Sequence, residues 1–146
     1  MKIAIGCDHG AVERKNQVVA HLQALGHEVQ DFGTHTTESC DYPEFAAAAA
    51  RAVANGECER GIVLCTTGIG VSIAANKIKG IRCALLSDLV SARMTREHND
   101  TNVMALGAAL VEKDLALEIV DIWLNTPFSG LEKHARRIAK LAELEK

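Results

Sequence analysis

The chain has 146 residues, 48% of them hydrophobic, and its 16 basic and 19 acidic residues leave a formal net charge of -3. This length and composition predict one domain, residues 1–146, with a single core. Because charges of both signs are interspersed, no field is expected that would attract nucleic acid or an acidic membrane. The five cysteines lack CxxC spacing, which favours reduced thiols in the cytosol over disulfides or a zinc site. The N-terminal segment becomes polar too early for a signal peptide, and no apolar run reaches membrane-spanning length.

Short apolar runs rich in β-branched residues alternate with helical patterns along the chain. After the first run, Val18, Val19, Leu22 and Leu25 recur on one face of a helix that should end at Gly26 in a left-handed cap. A second helix should begin at residues 41–43, contain the alanines at 46–50 and stop near residue 55. Strands are predicted at residues 2–6, 27–31, 61–65, 82–87 and 103–106, and a last helix over 131–146.

This alternation predicts a three-layer α/β/α sandwich, with a Rossmann-like, doubly wound, five-stranded parallel sheet and an added C-terminal helix. In such folds ligands bind beyond the carboxyl ends of the strands, where successive crossovers leave in opposite directions. In the common five-strand order that point lies between strands one and three. Residues 7–10 and 65–70 directly follow those strands, so the sequence predicts one site containing both segments.

The segment at residues 65–70 leads from a strand into a helical pattern. Its glycines, Gly68 and Gly70, let backbone amides approach a ligand, and the start of a helix favours an anion or a developing oxyanion. The same field favours a thiolate at Cys65, which could then accept a proton. The commoner role of such a residue is apolar packing at a strand end, and the local sequence alone does not exclude it.

Two other interpretations of this loop make specific demands on the sequence. A phosphatase-type cysteine loop needs an arginine six residues after the thiol, where Val71 stands. A dinucleotide fingerprint needs a third glycine in place of Ile73, although Asp88 could imitate the ribose-binding acid. The first interpretation fails, and the second is weak.

Further polar residues could act at the same site, each with a simpler alternative. Asp8 could orient a sugar hydroxyl and His9 could donate to a phosphate, or Asp8 could simply form a turn. His98, in the polar segment 97–102, could act as a general acid or base, or could be a hydrogen-bonded loop histidine. Lys133 and Arg137 are four residues apart on the last helix, where they could clamp a phosphate or serve as surface charges.

Five segments together resemble the ribose-5-phosphate isomerase B family, which is related to the galactose-6-phosphate isomerases. They are GCDH at residues 6–9, DYP at 41–43, CTTGIGVSIAANK at 65–77, GIR at 80–82 and HNDTN at 98–102. Their order and spacing extend the resemblance over essentially the whole chain.

The resemblance implies interconversion of an aldose and a ketose without metal or cofactor, in an active site at a subunit interface. The partners implied are a sugar phosphate and a second copy of the chain, in a homodimer or a dimer of dimers. By this resemblance Cys65 moves the proton between C1 and C2, Thr67 assists at the reacting oxygens, and His98, helped by Asp8, opens the sugar ring. The implied substrate contacts are Asp8, His9, Tyr42, Thr66, Thr67, Gly68, Ile69, Gly70, Asn99, Lys133 and Arg137.

The chain departs from the family pattern at three places. Thr66 stands where a glycine is common, and Ala109 where an arginine is common. In residues 130–134 one residue is inserted and Lys133 replaces an arginine, so Lys133 is the nearest candidate to compensate for the missing charge. Ribose 5-phosphate is the default substrate. The alternatives are a hexose 6-phosphate or tetrose phosphate, or a sugar-phosphate-binding protein without catalysis.

Overall fold

The computed structural model describes residues 1–146 and contains five strands and six helices in alternation. The strands are β1 (Lys2–Cys7), β2 (Glu28–Asp31), β3 (Arg60–Cys65), β4 (Cys83–Leu85) and β5 (Val103–Gly107). The helices are α1 (Val12–Ala24), α2 (Tyr42–Ala54), α3 (Ile69–Asn76), α4 (Leu89–Asn99), α5 (Lys113–Asn125) and α6 (Glu132–Glu143). All strands pair in parallel, which confirms the predicted doubly wound sheet with an added C-terminal helix.

The strand order is β2-β1-β3-β5-β4, so the last two strands exchange places relative to the common order. Every residue of β5 is buried, whereas β4 has only three residues in the ladder and is partly exposed. A fully apolar strand is stable in the sheet interior, and a short strand is suited to an edge. The adjacency of β1 and β3, on which the predicted site depends, is unaffected.

The two faces of the sheet carry separate hydrophobic clusters. Helices α1, α4 and α5 cover one face, around the fully buried Trp123, and α2 and α3 cover the other. Val18 and Leu22 of α1 are buried, but Leu25, which was predicted to share their helix face, is 53% exposed. Leu25 follows the last residue of α1, where the chain turns away at Gly26 with the predicted left-handed backbone. No helix in the structure is both long and apolar enough to cross a membrane.

The alanine tract of α2 allows this helix to pack unusually close to the sheet. Ala46, Ala49 and Ala50 are fully buried, and a Cβ atom added at Gly6 of β1 would lie 2.7 Å from the carbonyl oxygen of Phe45. Small side chains on both elements are required for this approach. The close packing fixes the start of α2, and therefore Tyr42, beside the loop that follows β3.

The loop after β3 packs tightly on the end of β5 through Gly68. This residue has a left-handed backbone, with φ of 78°, and precedes the first residue of α3. A Cβ atom there would lie 2.7 Å from the carbonyl carbon of Leu106 and 2.8 Å from the amide nitrogen of Gly107. Only glycine satisfies both the backbone conformation and this contact.

Gly68→Ala should therefore destabilise the protein more than Gly26→Ala, which makes a matched control. Gly26 has a similar left-handed φ of 88°, but a Cβ atom there meets nothing within 4 Å. The control should cost about 1–2 kcal/mol of unfolding free energy from backbone strain alone. Gly68→Ala should cost about 1–3 kcal/mol more, because backbone atoms must move. Denaturant unfolding of both variants measures the difference, and equal losses would contradict the packing argument.

Candidate active site

The predicted switch point is present where β1 and β3 end side by side. The amide of Asp8 donates to the carbonyl oxygen of Leu64 at 3.3 Å, which continues the ladder to the residue before Cys65. The connection after β1 leads to α1 on one face, and that after β3 leads to α3 on the other. In doubly wound folds, ligands bind at such a divergence of crossovers. The structure therefore confirms the predicted placement of both segments.

Cys65 ends β3 and is 6% exposed, and its Sγ accepts a hydrogen bond from the backbone amide of Gly68 at 3.1 Å. The sulfur atoms of Cys7 and Cys58 instead act as donors, to Thr34 O and Gln30 Oε1. Burial raises the pKa of the Cys7 thiol to about 11. An N–H donor at the start of a helix favours negative charge on the atom it faces, and Cys65 Sγ faces the Gly68 amide.

The rest of the 65–70 loop is held by short contacts. Thr67 Oγ1 accepts from the amide of Ile69 at 3.2 Å. The ring of Tyr42 lies against Gly70, where an added Cβ atom would come within 2.6 Å of the ring. The exposed Thr66 stands with its hydroxyl over Gly10, so it links this loop to the turn after β1.

Asp8 and His9 are both constrained by backbone amides. Asp8 is 6% exposed, and its Oδ1 accepts from the amide of Gly10 at 2.9 Å. His9 Nδ1 accepts from the amide of Cys40 at 3.2 Å, so the neutral ring carries its proton on Nε2 and can donate from there. Asp8, His9, Tyr42 and residues 65–70 are termed the carboxyl-edge cluster, because all lie at the carboxyl ends of β1 and β3.

His98 and Asn99 lie at the other edge of the sheet. Helix α4 begins beyond the carboxyl end of β4 and runs back, so nine residues at 1.5 Å each separate His98 from its start by about 14 Å. The carbonyl oxygen of Asn99 accepts from Arg82 Nε at 2.9 Å, immediately before β4 begins. Within one subunit the fold does not bring these two residues to Cys65.

A second polar group surrounds His98 at the start of α6. The ring of His98 is 4.4 Å from that of His134 between centroids, and Lys133 and Arg137 are exposed on the same helix. His98, Asn99, Lys133, His134 and Arg137 are termed the amino-edge cluster. The sequence pattern did not select His134. Its position next to Lys133 was the one available signal, because periodicity does not show which residue of an exposed helix is buried.

Asp88, the residue that could have imitated a ribose-binding acid, caps α4. Its carboxylate accepts from the amide of Ser91 at 2.7 Å and from the Ser91 hydroxyl at 3.0 Å. The Ser91 amide holds the pKa of this carboxyl below its usual value. A side chain engaged in this way serves the helix start, so Asp88 gives no support to a dinucleotide site.

Comparisons with known proteins agree with this geometry. The family model described as Ribose/Galactose Isomerase matches residues 3–141. The structure of Clostridium thermocellum ribose-5-phosphate isomerase B superposes with a TM-score of 0.97 at 54% identity, covering 99% of this chain and 97% of that one. Ribose-5-phosphate isomerase B of Escherichia coli is 47% identical over 144 residues, 99% of this chain and 96% of its own length. D-erythrulose-4-phosphate isomerase of Pectobacterium atrosepticum is 43% identical over 131 residues, 89% of this chain and 86% of its own length.

The parallel sandwich, with a buried cysteine at the start of a helix beside a carboxylate turn, places this protein in the class of sugar-phosphate isomerases. The chain belongs to the ribose/galactose isomerase family. The resemblance noted from its motifs is thereby confirmed.

His134 makes the stability of the protein sensitive to acid. Burial, followed by the charges of His98, Lys133 and Arg137, lowers the pKa of His134 below its ordinary value. The unfolded chain takes up this proton at about pH 6.5, while the folded protein resists it, so stability is lost as pH falls below that value. Unfolding free energy measured between pH 7.5 and 5 should fall less steeply in His134→Gln. His27→Gln, on a distant strand connection, is the control, and identical slopes in all three proteins would refute this role.

Proposed function

We propose that the protein interconverts a phosphorylated aldose and its ketose through an enediolate, with ribose 5-phosphate and ribulose 5-phosphate as the default pair. The observation that supports this best is the hydrogen bond from the Gly68 amide to Cys65 Sγ at the start of α3. This hydrogen bond places the candidate base, the Cys65 sulfur, beside the start of a helix, where negative charge is stabilised. Family membership and the names of the relatives favour the same reaction.

The reaction requires one carbon-bound proton to move between two neighbouring carbons. In the proposed mechanism the Cys65 thiolate removes the proton from C2 of the open-chain aldose, and electrons shift onto the C1 oxygen to give the enediolate. The same thiol returns the proton to C1 while the proton of the C2 hydroxyl passes to the C1 oxygen, with Thr67 assisting at the two oxygens, which forms the ketose and regenerates the thiolate. Amides of residues 66–70 and the Thr67 hydroxyl stabilise the negative oxygens. His98, helped by Asp8, opens the sugar ring beforehand.

A working site of this kind needs two subunits. The carboxyl-edge and amino-edge clusters lie at opposite edges of the sheet in one chain, so His98 and Asn99 can join Cys65 only from another copy. Helix α6 is strongly amphipathic, yet Leu131, Leu141 and Leu144 at its ends and on its face are exposed. An apolar helix face of this kind is typical of a subunit contact. We therefore include in the proposal a homodimer or a pair of dimers, with Lys133 and Arg137 supplied across the interface.

Other substrates remain the main alternatives. The relative named a D-erythrulose-4-phosphate isomerase supports a tetrose phosphate, and the family name covers galactose as well as ribose. Thr66 and Ala109 are hydrogen-bonded neighbours, with the Ala109 amide donating to the Thr66 carbonyl oxygen at 2.9 Å. Because these two departures from the family pattern are in contact, they favour a change in the shape of the pocket over two unrelated substitutions.

Turnover of four-, five- and six-carbon aldose phosphates in deuterated water tests both the reaction and the sugar. The true substrate should gain solvent deuterium at the carbon that receives the proton, because the thiol exchanges before it returns it. Cys65→Ala should lose both exchange and turnover, while Cys58→Ala, whose sulfur is remote from the crevice, should retain both. Binding without exchange on every sugar would favour the non-catalytic alternative, and intact exchange in Cys65→Ala would remove Cys65 as the base.

Mixing two inactive variants tests the shared site. Cys65→Ala and His98→Ala should each be inactive alone, since every site lacks one of the two groups. Coexpressed in equal amounts they should recover about a quarter of the native activity, because half of the dimers then carry one complete site. Each variant coexpressed with itself is the control. If mixed dimers isolated by two affinity tags show no activity, the shared site is contradicted.

A further inference from the structure

A cavity of about 270 Å³ lies beside the carboxyl-edge cluster, between the first turn of α1 and the loop after β5. Its walls include Gly10, Arg14, Gln17, Ala108 and Ala109. Gly10 is in contact with the Thr66 hydroxyl, and Ala109 is hydrogen-bonded to the Thr66 backbone. The cavity therefore adjoins the crevice that contains Cys65 and Asp8.

Arg14 is the one basic residue in the cavity wall, and its side chain is held in place. Its Nε donates to Gln17 Oε1 at 2.9 Å, and its Nη1 donates to the carbonyl oxygen of Val111. The side chain is half-buried and forms no salt bridge with any carboxylate of the chain. Both of its hydrogen bonds are to neutral oxygens, so its charge is not neutralised within the subunit.

The surroundings of Arg14 favour an anionic ligand. A half-buried guanidinium without a counterion gains most from a ligand that can accept two parallel hydrogen bonds, as a phosphate does. The start of α1 at Val12 adds partial positive charge to the same cavity. Glu13 also borders the cavity, but it is exposed and its charge is screened by solvent. Ala108 and Ala109 contribute no side chain larger than a methyl group to the cavity wall.

We propose that Arg14 binds the phosphate of the substrate and takes over the charge that position 109 lacks in this chain. The inference rests on the isomerase activity proposed above and adds a specificity residue to that site. It replaces the expectation that Lys133 compensates for Ala109, because Arg14 shares a cavity wall with Ala109 in the same subunit, whereas Lys133 reaches the site only across the proposed interface. The phosphoryl end of the substrate then lies towards α1, and the sugar carbons lie towards Cys65.

Arg14→Leu should raise KM for the sugar phosphate about ten- to a hundred-fold and leave kcat nearly unchanged, because one charged hydrogen-bond donor to phosphate is lost in ground and transition states alike. The inhibition constant for inorganic phosphate should rise by a similar factor. Arg51→Leu, which removes the same charge from an exposed position on α2, should change neither value. Arg14→Gln serves the same purpose if the leucine variant does not fold. Unchanged KM and phosphate inhibition in a folded Arg14 variant would overturn the assignment.

Placing an arginine at position 109, in the same cavity wall as Arg14, gives a second, independent test. Ala109→Arg should restore phosphate affinity in the Arg14→Leu background and should not improve it when Arg14 is present, because the two guanidinium groups would compete for one anion. An equal gain in both backgrounds would show that Arg14 does not occupy this role. Calorimetric titration of inorganic phosphate into each folded variant keeps the test independent of turnover. If no sugar phosphate is converted but phosphate binding still depends on Arg14, the proposed reaction fails while this site stands.

Discussion

Parallel pairing of β1 with β3 is the constraint on which the carboxyl-edge cluster depends. The register sets Cys7 opposite Leu64, so the turn carrying Asp8 and the loop beginning at Cys65 leave the sheet side by side. Their crossovers then diverge to opposite faces, which keeps either helix from covering the crevice. A shift of this register by one residue would turn Cys65 and its neighbours to the wrong faces of the sheet. The main-chain geometry of β1 and β3 therefore sets where the residues of the proposed reaction lie.

Small residues fix the loops at this edge of the sheet by close packing. Gly68 lets the loop after β3 lie directly on the end of β5, and Gly70 gives the Tyr42 ring its place beside α3. The short side chains of α2 bring that helix onto β1 at close range. The backbone amides near Cys65 are thus fixed by packing, which is what a preorganised oxyanion site requires, since no reorganisation is then needed as charge develops.

The polar residues that the sequence groups together are divided by the fold between two edges of the sheet. Asp8 and Cys65 lie at the carboxyl edge, whereas His98 lies at the amino edge beside α6. A single subunit cannot combine them, because helices in a parallel α/β sheet run antiparallel to the strands and end at the opposite edge. The exposed apolar residues of α6 and the division of the polar clusters both support the proposed site shared between two chains.

The sequence alone was sufficient to predict the helices and strands and to identify the family. Local periodicity and turn residues located both ends of every strand within two residues, with the largest difference at β4, whose predicted run of 82–87 extends two residues past Leu85. The motif spacing, including that at 65–77, identified the family. The strand order within the sheet was not readable from the sequence, because the runs at 82–87 and 103–106 are both largely apolar and what packs against each strand decides which one is buried.

Only the tertiary structure showed which of the candidate site residues lie close together. Sequence placed His98 and Cys65 in the same predicted site, and only the direction of α4 shows that they lie apart in one subunit. No sequence pattern indicated a binding role for Arg14, since a charged residue in the first turn of a helix is ordinarily solvated. Its contact with Gln17 is local, three residues along α1, but its contact with Val111 joins residues 97 apart in the chain, and such long-range proximity follows from packing and is not encoded in any local pattern.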